Sequence, residues 1–330
     1  MKPPNPFVMW EERPKNVYGR REELAAFISF MSAISAKQSS VMIITGSPGM
    51  GKTLLLRHFR AEADKSGLLA TYIKVEKGET LEAAIQKIYQ ELTFPDQEEI
   101  ETQKTLGKCI SLLERKSRKK YFGSIVFIDD IDRMKRSDDA ISEINNAVGG
   151  KEAKLGFILS STKPFRNSIA LRPFDEHEAK ELIDKTLKAT QIKMGEEGLH
   201  TILMDTQGNP RLLKSTCWYL YEMLKENEKI ISRGHYLAHL PSIMSMLSRE
   251  LFGSMYQETP EAERQILLTL AKDAGGAYVS EIAKQLKKPL GPITTLTGRL
   301  LERGQIVKIE RGKYRIFSIL YARYVIQRAR

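Results

Sequence analysis

Gly46-Ser47-Pro48-Gly49-Met50-Gly51-Lys52-Thr53 is the stretch that decides how this 330-residue chain folds. The apolar run Val41-Met42-Ile43-Ile44-Thr45 before it reads as a buried strand, and Leu54-Leu55-Leu56-Arg57-His58-Phe59 after it as an amphipathic helix. Glycines between strand and helix let successive backbone N–H groups turn inward around a polyphosphate. Lys52 can reach the β- and γ-phosphates there, and the Thr53 hydroxyl can sit on Mg²⁺. Gly46, Ser47, Pro48, Gly49, Met50, Gly51, Lys52 and Thr53 are therefore the expected binding set for ATP or ADP.

The pattern continues outward as alternating strands and helices, which predicts a parallel sheet with crossover helices. Further strands are expected at 68–75, 124–129, 155–160 and 168–171, with helices at 80–92, 97–118 and 137–148. From 176 onward the strands are expected to stop. Helical spacing over 176–189, 195–206 and 209–226 gives a helical lid, and 229–256 reads as a less regular connector. Thr259-Pro260-Glu261-Ala262-Glu263 reads as a helix start with Thr259 as N-cap. Two more helices and a hairpin, 305–310 and 313–317, make the last segment a winged helix-turn-helix pattern. The expected domains are 1–174 (P-loop ATPase α/β), 175–228 (helical lid), 229–258 (helical connector) and 259–330 (winged helix).

Composition narrows the class. Hydrophobic residues make up 42% and charged residues 28%, as in a soluble globular protein, and no apolar run approaches membrane-spanning length. The first residues lack the apolar core of a signal peptide. Cys109 and Cys217, the two cysteines, lie in helical patterns and suggest a reducing compartment, with cytoplasm as the default. The net charge is +11, and twelve Lys/Arg against three acids after residue 280 place +9 of it in the last fifty residues. Such a local excess is the footprint expected for nucleic acid, here duplex DNA. The candidate contacts are Lys288 ahead of the third helix, Thr294, Thr295, Thr297 and Arg299 in it, and Lys308, Arg311, Lys313 and Arg315 along the wing.

Asp129 and Asp130 close the third strand, where one acid can serve Mg²⁺ and its neighbour can polarise an attacking water. At the end of the fourth strand, Ser161 and Thr162 are candidates to reach a γ-phosphate or the lytic water. Arg166 follows as a candidate arginine finger toward a neighbouring subunit. Gly208-Asn209-Pro210-Arg211 puts Arg211 in the first turn of a helix, against the dipole, which points to an anion partner. His235 and His239, four apart, lack a third ligand and read as a surface helix face.

With Val17-Tyr18-Gly19-Arg20-Arg21-Glu22-Glu23-Leu24, these motifs resemble an AAA+-type P-loop ATPase, most like the origin-recognition initiators and the related archaeal ATPase and STAND families. The resemblance implies a parallel sheet of the AAA+/ASCE type followed by a helical lid and a winged helix. It makes Asp129 the Walker B acid and places Val17, Tyr18 and Arg20 beside the adenine. Asp130 stands where Glu is usual, one methylene shorter, which implies slow hydrolysis. Three roles follow as expectations: an ATP-switched duplex-binding protein, a STAND-like switch whose winged helix contacts protein, and, least favoured by Asp130, a fast motor. A homo-oligomer or a protein partner on the ATPase face is compatible with each, and no membrane partner is expected.

Overall fold

The computed structural model describes residues 3–7, 17–93, 105–149 and 152–329. Its contacts divide the chain into two units, one built mainly from residues 17–46 and 51–171, the other from 47–50 and 172–329 with 3–7.

The first unit holds α1 (Arg21–Ser35), β1 (Ser40–Thr45), α2 (Lys52–Lys65), β2 (Leu69–Lys74), α3 (Leu81–Thr93), α4 (Leu106–Lys120), β3 (Ser124–Asp129), α5 (Ser137–Val148), β4 (Leu155–Ser161) and β5 (Ile169–Ala170). The five strands form one parallel sheet in the order β2-β3-β4-β1-β5. β3 and β4 are buried along their whole length, which is why they read as unbroken apolar runs. Register brings Thr45 level with Ser161 and Lys74 level with Asp129, so these strand ends share one edge of the sheet. Open parallel sheets bind ligands at that carboxyl edge. On a face of the sheet, α1 approaches so closely that a Cβ on Gly156 would lie 2.7 Å from Phe30, while Phe27 stacks on Phe59 at 4.0 Å. The expected helix over 97–118 appears from Leu106; residues 97–104 lie outside the described residues.

The second unit holds α6 (Glu176–Leu187), β6 (Lys193–Met194), α7 (Glu196–Thr206), α8 (Pro210–Met223), β7 (Ile230–Ile231), α9 (Arg233–Leu247), a π-helical turn (Ser248–Phe252), α10 (Gly253–Gln257), α11 (Glu261–Ala271), β8 (Ala277–Tyr278), α12 (Val279–Leu286), α13 (Leu290–Glu302), β9 (Ile306–Glu310), β10 (Lys313–Ile316) and α14 (Ile319–Arg328). One apolar core runs through it from Phe174 to Val325. α6 opens with a full capping box, Asp175 accepting from the Glu178 N–H and Glu178 returning the bond.

Several expectations change here. Strands do not stop at 176: β6 and β7 pair in parallel, two residues each. In the segment expected as a helical connector of less regular pattern, α9 runs through the π-turn into α10 with Pro241 inside α9. Proline and serines there break the periodic signal without breaking the helix. Thr259 does not cap α11, since its buried hydroxyl donates to Met255 O at 2.7 Å and meets Gln305. The hairpin gains a third strand, the order being β8-β10-β9, all antiparallel. α14 was not expected; Ser318 caps it, accepting from the Tyr321 N–H at 3.0 Å. Among the described residues, no helix is long and apolar enough to cross a membrane.

Candidate nucleotide-binding site

The loop after β1 leaves the middle of the sheet, its Gly46 N–H bonded to Ser161 O at 3.2 Å. Gly49 and Gly51 take φ of +84° and +92°, a region that side-chain-bearing residues rarely enter. Gly51 has open space where a Cβ would stand, and it precedes the first residue of α2. Backbone donors and the positive end of a helix thus converge on one point, which suits an anion. Lys52 is 7% exposed, and its ammonium donates to Gly46 O at 2.6 Å. Burial pulls its pKa down, and the charges of Asp130, Asp132 and Asp129 work against that fall.

Asp129 is fully buried at the end of β3. Its Oδ2 accepts from Thr53 Oγ1 at 2.7 Å and from Tyr72 Oη at 2.9 Å. Its Oδ1 accepts from Ser160 Oγ at 2.5 Å. Asp130 adopts the left-handed conformation, φ 59°, with its N–H bonded to Ser160 Oγ at 2.8 Å. Its carboxylate lies 3.6 Å from Lys74 Nζ and 3.5 Å from Arg133 Nε. Burial, then the charge of Asp129, raises its pKa above the ordinary carboxylate range, while Arg133, Lys74 and Lys52 oppose the rise.

The β4 hydroxyl that meets the acid pair is Ser160, one residue before Ser161 and Thr162, the hydroxyls expected at a γ-phosphate or lytic water. Strand alternation explains the difference. Ser161 is buried with its Oγ accepting from the Lys163 N–H at 2.9 Å, and Thr162 is half-buried beyond the strand end. Tyr72 is a second residue that sequence reasoning missed. Arg166 is exposed in the loop before β5. Val17 and Tyr18 are half-buried, and Arg20 is buried with its guanidinium 3.5 Å from Glu23 in the first turn of α1.

Arg211 occupies the first turn of α8, capped by Asn209, whose Oδ1 accepts from the Arg211 and Leu212 N–H groups. The second unit also contains the tip of the glycine-rich loop. There Asn209 Nδ2 donates to Pro48 O at 3.0 Å, and the Arg211 N–H to Gly49 O at 3.2 Å. A Cβ on Gly49 would fall 2.6 Å from Asn209 Oδ1, so this contact requires glycine as firmly as φ does. Burial lowers the Arg211 pKa, opposed by Glu250.

Of the residues expected at DNA, Thr297 is corrected: it is 1% exposed, and its hydroxyl donates to Ile293 O inside the unit. Thr294 and Thr295 are exposed on α13, though both hydroxyls bond back to carbonyls one turn earlier. Arg299, Lys308 and Arg311 are exposed, and Lys288 is exposed and bonds Gln265. Lys313 lies over the Tyr278 ring at 5.5 Å, and Arg315 is half-buried with its pKa lowered by that burial. His235 and His239 stand edge to face at 4.7 Å, and no group of three metal-ligating residues occurs among the described residues.

Residues 35–169 match the AAA domain family. Solved structures share the fold over nearly the whole chain. A Walker-type ATPase of Pyrococcus abyssi aligns at TM-score 0.72 with 16% identity, over 98% of this chain and 99% of the other. Cdc6p of Pyrobaculum aerophilum aligns at TM-score 0.55 with 14% identity, over 98% of both chains. The Orc1 protein of Aeropyrum pernix, solved in complex with DNA, aligns at 0.51 with 16% identity, over 96% and 94%. Curated proteins gave no match. The AAA+ resemblance read from the sequence is borne out.

Proposed function

We propose that this chain, whose residues 35–169 carry an AAA domain, is an ATP-binding, slowly hydrolysing switch that engages duplex DNA through its basic C-terminal segment. The observation that carries the nucleotide half is the bond between Thr53 and the buried Asp129, beside a buried Lys52 at a glycine-rich helix start. Loop N–H groups and Lys52 would hold the phosphates. Thr53 and Asp129 offer two hard oxygens, a donor set that fits Mg²⁺, which takes few protein ligands and keeps its waters. When bound, the cation would neutralise charge on the phosphate oxygens. Asp130 would orient the attacking water once released from Lys74 and Arg133, and its short side chain suits slow turnover. Arg211 would read the γ-phosphate, and Arg166 would serve a neighbouring subunit. In this reading 175–228 is the lid, 229–258 the connector and 259–330 a winged helix.

The DNA half rests on the local charge excess and on α13, followed by the β9–β10 hairpin. A titration of the full chain against labelled duplex, with and without ATP, tests it. If six to eight cations pair with phosphates, log K should fall against log[salt] with a slope of about −5 to −7. Leu290, Ile309 and Tyr278 favour a second reading, because they expose apolar surface on the same elements, 53%, 46% and 39%. Apolar exposure of that kind suits a protein partner, as in a STAND-like switch. A flat salt response, or no duplex binding at about 50 mM salt, would decide for it.

A further inference from the structure

Asp129 Oδ2 has two acceptor positions, and both are taken. Thr53 fills one from the loop helix. Tyr72 fills the other from β2, the strand paired with β3. A metal-binding loop explains the first bond. It does not explain a phenol directed at the same oxygen from a neighbouring strand. The Tyr72 ring also lies beneath the Arg57 guanidinium, 5.8 Å from its centroid, and the same guanidinium interacts with the phenol, opposing the burial and the Asp129 charge that keep it protonated. Its hydroxyl occupies a lone pair that a cation, or a water of that cation, would need.

We propose that Tyr72 is a positioning residue that sets the Mg²⁺ requirement of nucleotide binding. Its hydroxyl closes Asp129 Oδ2, and it would give way to a bound cation. The inference rests on the ATP-site reading above and adds to it a residue that no motif marks. It also gives each of the three hydroxyls on Asp129 a separate task. Thr53 would stay with the metal, Ser160 links Asp129 to the Asp130 backbone, and Tyr72 would compete.

Tyr72→Phe keeps the ring beneath Arg57 and removes the hydroxyl, and with it the bond to Asp129 and the phenol's interaction with Arg57. In the full-length protein, binding of a fluorescent ATP analogue is titrated with MgCl₂, with an EDTA sample as baseline. Loss of one competing hydrogen bond should lower the Mg²⁺ midpoint by about 3- to 10-fold, with affinity in EDTA unchanged. A midpoint that stays put or rises overturns the inference. Equal loss of affinity with and without Mg²⁺ also overturns it, since that is what a purely structural Tyr72 would give. Wild-type protein that binds no analogue under either condition would overturn the nucleotide reading as well; an unshifted midpoint on intact binding overturns only the role of Tyr72.

Discussion

Asp130 carries opposing demands. A water-polarising acid must be ionised, yet burial and the adjacent Asp129 raise its pKa. The folded chain therefore holds this proton more tightly than the unfolded chain does. Stability contributed by the protonated form is present at acid pH and lost as pH rises from the ordinary carboxylate value through the raised one. Asp130→Asn removes that titration. Its melting temperature should gain on wild type as pH goes from about 4 to 7, while hydrolysis falls and ATP affinity holds; a constant difference across pH would contradict this. The site was legible in the sequence wherever its chemistry was local. Lys52 and Thr53 sit inside one loop, and the Asp129-Asp130 pair ends one apolar strand. Ser160 and Tyr72 were not legible, because their partnership with Asp129 comes from the pairing of β2, β3 and β4.

At the scale of elements, α9 shows how a helix can blur its own periodic signal. Pro241 has no N–H for the Leu237 carbonyl and is a strong helix breaker by propensity, so the helical connector reads as less regular over 229–256. Tertiary packing overrides it: Tyr236, Ile243, Met244, Met246 and Leu247 all lie in the core of their unit. Pro241 itself is exposed. Pro241→Ala restores the missing bond at the expense of a more flexible unfolded chain, and should stabilise by about 1–2 kcal/mol. Urea unfolding should show a higher midpoint with an unchanged slope. α14 was missed: a ten-residue helix after a hairpin has only Ser318 to announce it.

At the scale of the molecule, the second unit is held together by a buried knot of three groups. Asp205 on α7 is 7% exposed; it accepts from the Tyr236 hydroxyl on α9 at 2.7 Å and from the Arg323 guanidinium on α14 at 3.1 and 3.3 Å. Residues more than a hundred positions apart thus share one carboxylate. Asp205→Ala leaves the Tyr236 hydroxyl buried without an acceptor, at a cost of about 2–3 kcal/mol. Arg323, 41% exposed on its side chain, can turn to solvent and softens the loss. Melting should show the unit of residues 172–329 shifting down while the α/β unit holds its transition; a common shift of both would mean that they unfold as one.

The two cysteines fall one to each unit, Cys109 in the α/β unit and Cys217 in the other. Both side chains are 0% exposed, and burial pushes both thiols up to about 12. Only a thiolate reacts with an alkylating reagent, so each sulfur is silent until its own surroundings open. The protein thereby carries two built-in chemical clocks. Modification at Cys109 times the opening of the sheet, modification at Cys217 times the opening of the helical core, and peptide mass separates the two without any engineered label.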